Sequence, residues 1–169
     1  LAKGCVMSRP ARVLVLANQK GGVAKTTTTL NLGVALKERG CRVLAIDLDP
    51  QSNLSMSQGI DVENLGVTMF DILVKGYPLS DIIQAREIDI APAGIELAGA
   101  ELALSAMIGR ERQLERAIKP YLDLYDFILI DTPPSLGLLT INAIVASTGV
   151  IVPVQCEYLS LRGHVQREN

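Results

Sequence analysis

Within twelve residues, the stretch NQKGGVAKTTTT (18–29) places two lysines, two glycines and four threonines. Its Lys25-Thr26 pair fits the end of a phosphate-cradling pattern, a glycine, four free residues and then Gly-Lys-Ser/Thr, but Gln19 and Ala24 stand in the two glycine positions. A second lysine, Lys20, sits just inside the loop. If a helix follows, the backbone N–H groups of residues 20 to 26 converge on phosphate oxygens and the helix dipole adds to the attraction. The candidate phosphate ligands are therefore Lys20, Gly21, Gly22, Val23, Ala24, Lys25, Thr26 and Thr27. Gly21 and Gly22 permit close backbone approach. Lys25 has the reach for β- and γ-phosphates, the Thr26 hydroxyl suits Mg²⁺, and Thr27 can donate to an α-phosphate. Ala24 is expected at negative φ, opening the helix, because a Cβ is costly in the left-handed region. The bland alternative is a glycine-containing strand-to-helix turn with a solvated lysine.

Three aspartates are the other chemical candidates. In IDLDPQSN, Asp47 and Asp49 are two apart on a strand end, a spacing that points both side chains the same way. Asp47 is expected to hold a water of the Mg²⁺ shell, and Asp49 to orient an attacking water. Two turn-forming aspartates before Pro50 would look alike. Asp131 ends the apolar run of FILIDTPPS, as a metal-side aspartate does, and Asp-Thr-Pro-Pro stiffens an exit suited to sensing a γ-phosphate. Taken alone, that string also arises by chance.

Short β-branched runs must position these residues. Strands are expected at 12–17, 42–47, 87–93, 126–131 and 149–154, and helices at 26–39 (ended by Gly40), 68–76 (closed by Gly76), 96–107, 110–122 and 138–147. Continuously apolar strands alternating with helices predict an α/β fold, a doubly wound and mostly parallel sheet with right-handed crossovers. Ligands in such sheets gather at the carboxyl ends of strands, where NQKGG, DLDPQSN and DTPPS all fall.

The chain has 169 residues, 49% hydrophobic and 20% charged, which suits one domain with a substantial core. A formal charge of −2 gives no global basic field for nucleic acid, and two Phe, four Tyr and no Trp argue against base-stacking platforms. No apolar stretch approaches the ~18 residues that span a bilayer. Cys5, Cys41 and Cys156 lack metal-type spacing and are expected to be separate reduced thiols. Arg110, Arg112, Arg116 and Lys119 form a stripe read as a solvated helix face.

KGGVAKTT, DLDPQSN, FILIDTPPSLGLLTINA and VIVPVQCEYLSLRG, in this order from Arg12 to Gly163, resemble the ParA/Soj partition ATPases. These belong to the deviant Walker-A group that also includes MinD and the nitrogenase iron protein. The resemblance implies a P-loop NTPase fold, ATP and Mg²⁺ as cofactors, and a homodimer closed by ATP. Lys20 matches the signature lysine that reaches the nucleotide of the opposite subunit, so Lys20, Lys25 and Asp49 are the implied catalytic residues, with Thr26, Asp47 and Asp131 on the metal side. It further implies nonspecific DNA binding, mostly through residues outside this chain, stimulation by a ParB-like partner, and a cytoplasmic, nucleoid-associated setting without membrane. A MinD-like membrane positioner and a nucleotide-binding fragment without turnover are the alternatives. Residues 1–10 are expected as a flexible tail and 11–169 as a P-loop ATPase domain incomplete at its C-terminus, lacking the family's last strands and helices.

Overall fold

The computed structural model describes residues 10–155. Six strands form one sheet, β1 (Arg12–Leu16), β2 (Val43–Asp47), β3 (Gln84–Ala85), β4 (Asp89–Ala91), β5 (Phe127–Asp131) and β6 (Gly149–Ile151), in the order β3-β4-β2-β5-β1-β6. All neighbours are parallel except β3 and β4. β2 is buried at every position and β5 at all but its first. That explains their unbroken apolar runs, since helices cover both faces of the sheet. Register brings the strand ends level: Leu16 of β1 and Asp47 of β2 both lie opposite Asp131 of β5. At the other end Asp126 pins the register, accepting from the Arg42 backbone N–H at 2.7 Å and from its guanidinium Nη2 at 3.0 Å.

Helix α1 (Lys25–Glu38) lies on one face, over a core of Val43, Ala45, Leu54, Ile88, Ile90 and Leu129. Gly33 lets it approach the sheet, because a Cβ there would stand 2.6 Å from the tip of Ile88. The opposite face carries α3 (Ala100–Ser105), α4 (Gln113–Ile118) and α5 (Leu138–Ala146), packed on Val13, Val15, Leu44, Ile46, Ile128 and Ile130. Asn142 of α5 joins two of these helices, accepting from Leu114 N–H and donating to the Arg110 and Leu138 carbonyls.

Several expected elements are shorter or differently wound. The helix expected over 68–76 includes a π-helical turn, Asp71–Lys75, closed by Gly76 at φ 74°. The helices expected over 96–107 and 110–122 are α3 and α4 flanked by 3₁₀ turns. The last strand stops at Ile151 rather than 154. Helix α2 (Asn53–Ser57) and the two-residue β3 have no counterpart in the expectations, being too short to show a period. Cys41 is disulfide-bonded, correcting the expectation of a free thiol there; Cys5, Cys156, residues 1–9 of the tail expected over 1–10, and LRGHVQREN lie outside the described residues.

Ala24 is the sharpest correction. It does not open the helix at negative φ but precedes it, at φ 60° and ψ 31°, with its carbonyl accepting from Thr28 N–H at 2.9 Å. The left-handed step at Ala24 carries the chain from the loop into α1, at a local cost of about 1 kcal/mol for the Cβ. Ala24→Gly should relieve that strain. The expected outcome is a rise in Tm equivalent to roughly 0.5 kcal/mol after the unfolded-state entropy of glycine is discounted, measured by thermal unfolding.

Candidate functional site

The carboxyl ends of β1, β2 and β5 open onto a cleft of about 540 Å³ lined by Gly21 to Thr27, Asp49, Gln51, Asn53 and Pro134. Its floor is the β1–α1 loop. The first turn of α1 contains no acidic residue, and its first N–H groups have no intrahelical acceptor, so this end of a fourteen-residue helix favours an anion. Val23 is buried and anchors the loop. Lys25 is only 7% exposed, and its Nζ donates to the Lys20 carbonyl at 3.4 Å, a long contact that leaves room for a stronger anionic acceptor. Lys20 lies on the exposed outer curve, with its backbone N–H held by Asn18 Oδ1 at 2.9 Å.

Supports for this loop come from the far end of the described chain. Asn18 Nδ2 donates to the Pro153 carbonyl at 2.8 Å, and Gln155 Nε2 donates to the Gly22 carbonyl at 2.9 Å. Thr132, fully buried, donates its hydroxyl to the Leu16 carbonyl at 2.7 Å, fixing the exit of β5 to the end of β1. Glu101 of α3 accepts from Leu139 N–H at 3.3 Å and so holds the start of α5 behind Pro134.

Asp131 stands beside Thr26, whose hydroxyl donates to Oδ2 at 2.5 Å. Its other oxygen, Oδ1, is buried and has no hydrogen-bond partner among the described residues. A buried, half-satisfied carboxylate next to a threonine hydroxyl is a donor set suited to a hard divalent cation, so these residues fit Mg²⁺. Burial pushes the Asp131 carboxyl up to about 6; Thr26 opposes the shift, Asp49 adds to it and Lys25 opposes it. The influence of Asp49 and Lys25 shows that the three groups share one field.

The two aspartates of DLD part company. Asp49, 8% exposed, lines the cleft, with Oδ1 accepting from Gln51 N–H at 2.9 Å. Asp47 is fully buried behind the wall: Oδ1 accepts from Asp49 N–H at 3.1 Å, and Oδ2 from the N–H and hydroxyl of Ser55 at 2.9 and 2.7 Å. The strand alternation that would aim both into the cleft ends at Asp47, the last residue of β2, and the turn that follows sets Asp49 apart. Gln51, Asn53 and Pro134 are lining residues with no assigned role at the sequence level, although PQSN and DTPPS contain them. Gln155 and Asn18 are supports that only the fold reveals.

Burial is the first cause that raises Asp47, to about 7, with the Ser55 hydrogen bonds opposing and Asp131 adding. Both aspartates thus hold a proton more tightly folded than unfolded. From about pH 4, the ordinary aspartate value, up to about pH 7, Asp47 and Asp131 bind more protons in the native state than in the unfolded chain, so stability falls as pH rises. Thermal unfolding across that window should show Tm decreasing with pH in the ligand-free protein, whereas a flat or rising profile would contradict the burial of these carboxyls.

An AAA domain family matches residues 11–167 of the chain. Sporulation initiation inhibitor protein Soj of Bacillus subtilis is 48% identical over 161 residues, spanning 94% of this chain and 64% of its own length. Chromosome partitioning protein ParA of Caulobacter vibrioides is 43% identical over 94% of this chain and 61% of its own length. The chain thus spans less than two thirds of these relatives. Among solved structures, one described as cobyrinic acid a,c-diamide synthase from Mycobacterium smegmatis, with bound ATP analog and magnesium, superposes with a TM-score of 0.87 at 46% identity, covering 94% of this chain and 66% of the other. The ATP complex of a Cyanothece McdA variant superposes at 0.82 with 26% identity, covering 95% of this chain and 63% of the other. The mostly parallel sheet, the phosphate-type loop between β1 and α1 and these relatives together place the chain in the ParA/Soj family of P-loop proteins.

Proposed function

We propose that the chain is the nucleotide-binding part of a ParA-type ATPase that binds Mg-ATP in the β1–α1 cleft and hydrolyses it slowly. The observation that carries this reading is the meeting of Lys25, Thr26 and Asp49 in one cleft whose floor is a helix N-terminus, with buried Asp131 hydrogen-bonded to Thr26 beneath it. Lys25 and the loop N–H groups hold the β- and γ-phosphates. Thr26 and Asp131 hold Mg²⁺, which when bound neutralises charge on the phosphate oxygens. Asp49 accepts a hydrogen bond from the attacking water and orients it toward the γ-phosphate. The loop's Gly21 and Gly22 and the Thr27 side chain close around the remaining phosphate oxygens.

In this reading the exposed Lys20 reaches the nucleotide of a second copy, so that ATP closes a homodimer and hydrolysis opens it. The ATP dimer binds DNA without sequence preference and a ParB-like partner stimulates its turnover, driving chromosome or plasmid partition in the cytoplasm. Soj and ParA, by name partition and sporulation proteins, support this assignment, as do solved neighbours with ATP or an ATP analog. Among the described residues no helix is long and apolar enough to cross a membrane.

The test is the ATPase rate of the protein alone, with DNA, with a ParB-type partner, and with anionic vesicles. Stimulation by DNA and partner supports partition; stimulation by vesicles moves the reading to a membrane positioner. Turnover that requires a carboxylic-acid co-substrate moves it to an amide-forming synthetase, the activity named for the Mycobacterium smegmatis structure. Binding without turnover leaves a nucleotide-binding module only. Lys25→Ala should weaken ATP binding by about 100-fold, read by titration with a fluorescent ATP analogue, because it removes a buried cation from the phosphates. Asp49→Ala should leave ATP affinity and ATP-dependent self-association intact while slowing single-turnover hydrolysis roughly 100-fold or more. Normal turnover in that variant would assign the water to another group.

A further inference from the structure

Asp47 is the centre of a closed polar cluster behind the cleft wall. Its three accepted hydrogen bonds tie the Asp49 turn to the start of α2. The Ser55 hydroxyl gives its one proton to Asp47 and accepts from Ala93 N–H at 3.1 Å, so the cluster reaches the segment leaving β4. Asp47 and Ser55 are both fully buried. The next residue, Gly94, runs so close to Thr68 that a Cβ there would stand 2.7 Å from the threonine methyl. Thr68 is held in turn by Asp71, whose Oδ2 accepts its N–H at 2.8 Å. The catalytic-side turn, α2, the β4 exit and the 68–71 turn are therefore joined through one carboxylate and one hydroxyl.

A five-residue helix does not need a buried anion to cap it. Asparagine would satisfy fewer of the same donors, because its amide nitrogen would face N–H and O–H groups instead of accepting from them. An acceptor-only group with two oxygens is the side chain that can take all three donors at once.

We propose that Asp47 is a positioning residue: it fixes the place of Asp49 in the cleft and, through the Ser55 hydroxyl, locks that turn to the exit of β4, instead of ligating metal. This rests on the reading of the cleft as an ATP-hydrolysing site, with Asp49 orienting the water. A shift of Asp49 by a fraction of an ångström then costs turnover without loosening the phosphates, which Lys25 and the β1–α1 loop hold independently.

Two variants and three readouts test it. Asp47→Asn should speed amide hydrogen exchange at Asp49, Ser55 and Ala93 together in the nucleotide-free protein, and Ser55→Ala should speed it at Ala93, each by about tenfold or more. Hydrolysis under single-turnover conditions should fall about tenfold in Ser55→Ala and further in Asp47→Asn, with KM for ATP and the Mg²⁺ half-saturation within about twofold of the parent. A tenfold shift in Mg²⁺ half-saturation for Asp47→Asn with unchanged exchange at Ala93 would overturn the proposal in favour of a metal ligand. Unchanged turnover in both variants would overturn it too. Should the parent protein prove to have no ATPase activity, the hydrolytic reading fails by itself, and the exchange pattern still decides whether Asp47 ties the three segments. Should Asp47→Asn not fold, Ser55→Ala carries the comparison.

Discussion

Burial of carboxylates crowded at the carboxyl ends of β2 and β5, with their mutual repulsion a smaller addition, is the constraint on which the site depends. Parallel register sets Asp47 level with Asp131, and Asp49 follows two residues later. Both strand-end aspartates are fully buried. Such a cluster is tolerated because each member is given a different way out. Asp47 commits its charge to three donors from its own chain. Asp131 keeps one oxygen on Thr26 and leaves the other buried without a partner among the described residues. Asp49 sits nearer solvent, on the wall. Identical side chains thereby acquire unlike tasks from where their lone pairs are engaged.

The loop facing them brings positive charge to the same carboxylates. A buried lysine beside buried carboxylates softens the field, and the N-terminus of α1 adds partial positive charge from backbone dipoles. Adding a polyphosphate alone would again overfill the site with negative charge. Adding it with a divalent cation does not, so the cleft's electrostatics link the nucleotide to its metal.

Much of this is legible in the residues. The continuously apolar runs of β1, β2 and β5, each ending at a loop rich in Gly, Asp or Pro, locate the sheet and the edge where ligands collect. Lys25-Thr26 locates the start of α1 and one side of the cleft. What local pattern misjudges are positions decided by distant contacts. Ala24 adopts positive φ in a loop held by two long-range pairs that no local pattern shows, Asn18 with Pro153 and Gln155 with Gly22. Asp47 turns away from the cleft because α2 offers it donors, and α2 itself is too brief to announce its presence. Spacing of two along a strand is the right geometry applied past the point where the strand stops.

The supports of the phosphate loop have a kinetic side. Asn18–Pro153 and Gln155–Gly22 link a turn near one end of the chain with the segment after β6, so they form only when almost every intervening strand is in place. Contacts of such separation are entropically late. The central pairings of β1, β5 and β2 do not require these two braces. Within the described fold, the β1–α1 loop is thus the part whose bracing depends on the longest chain closures.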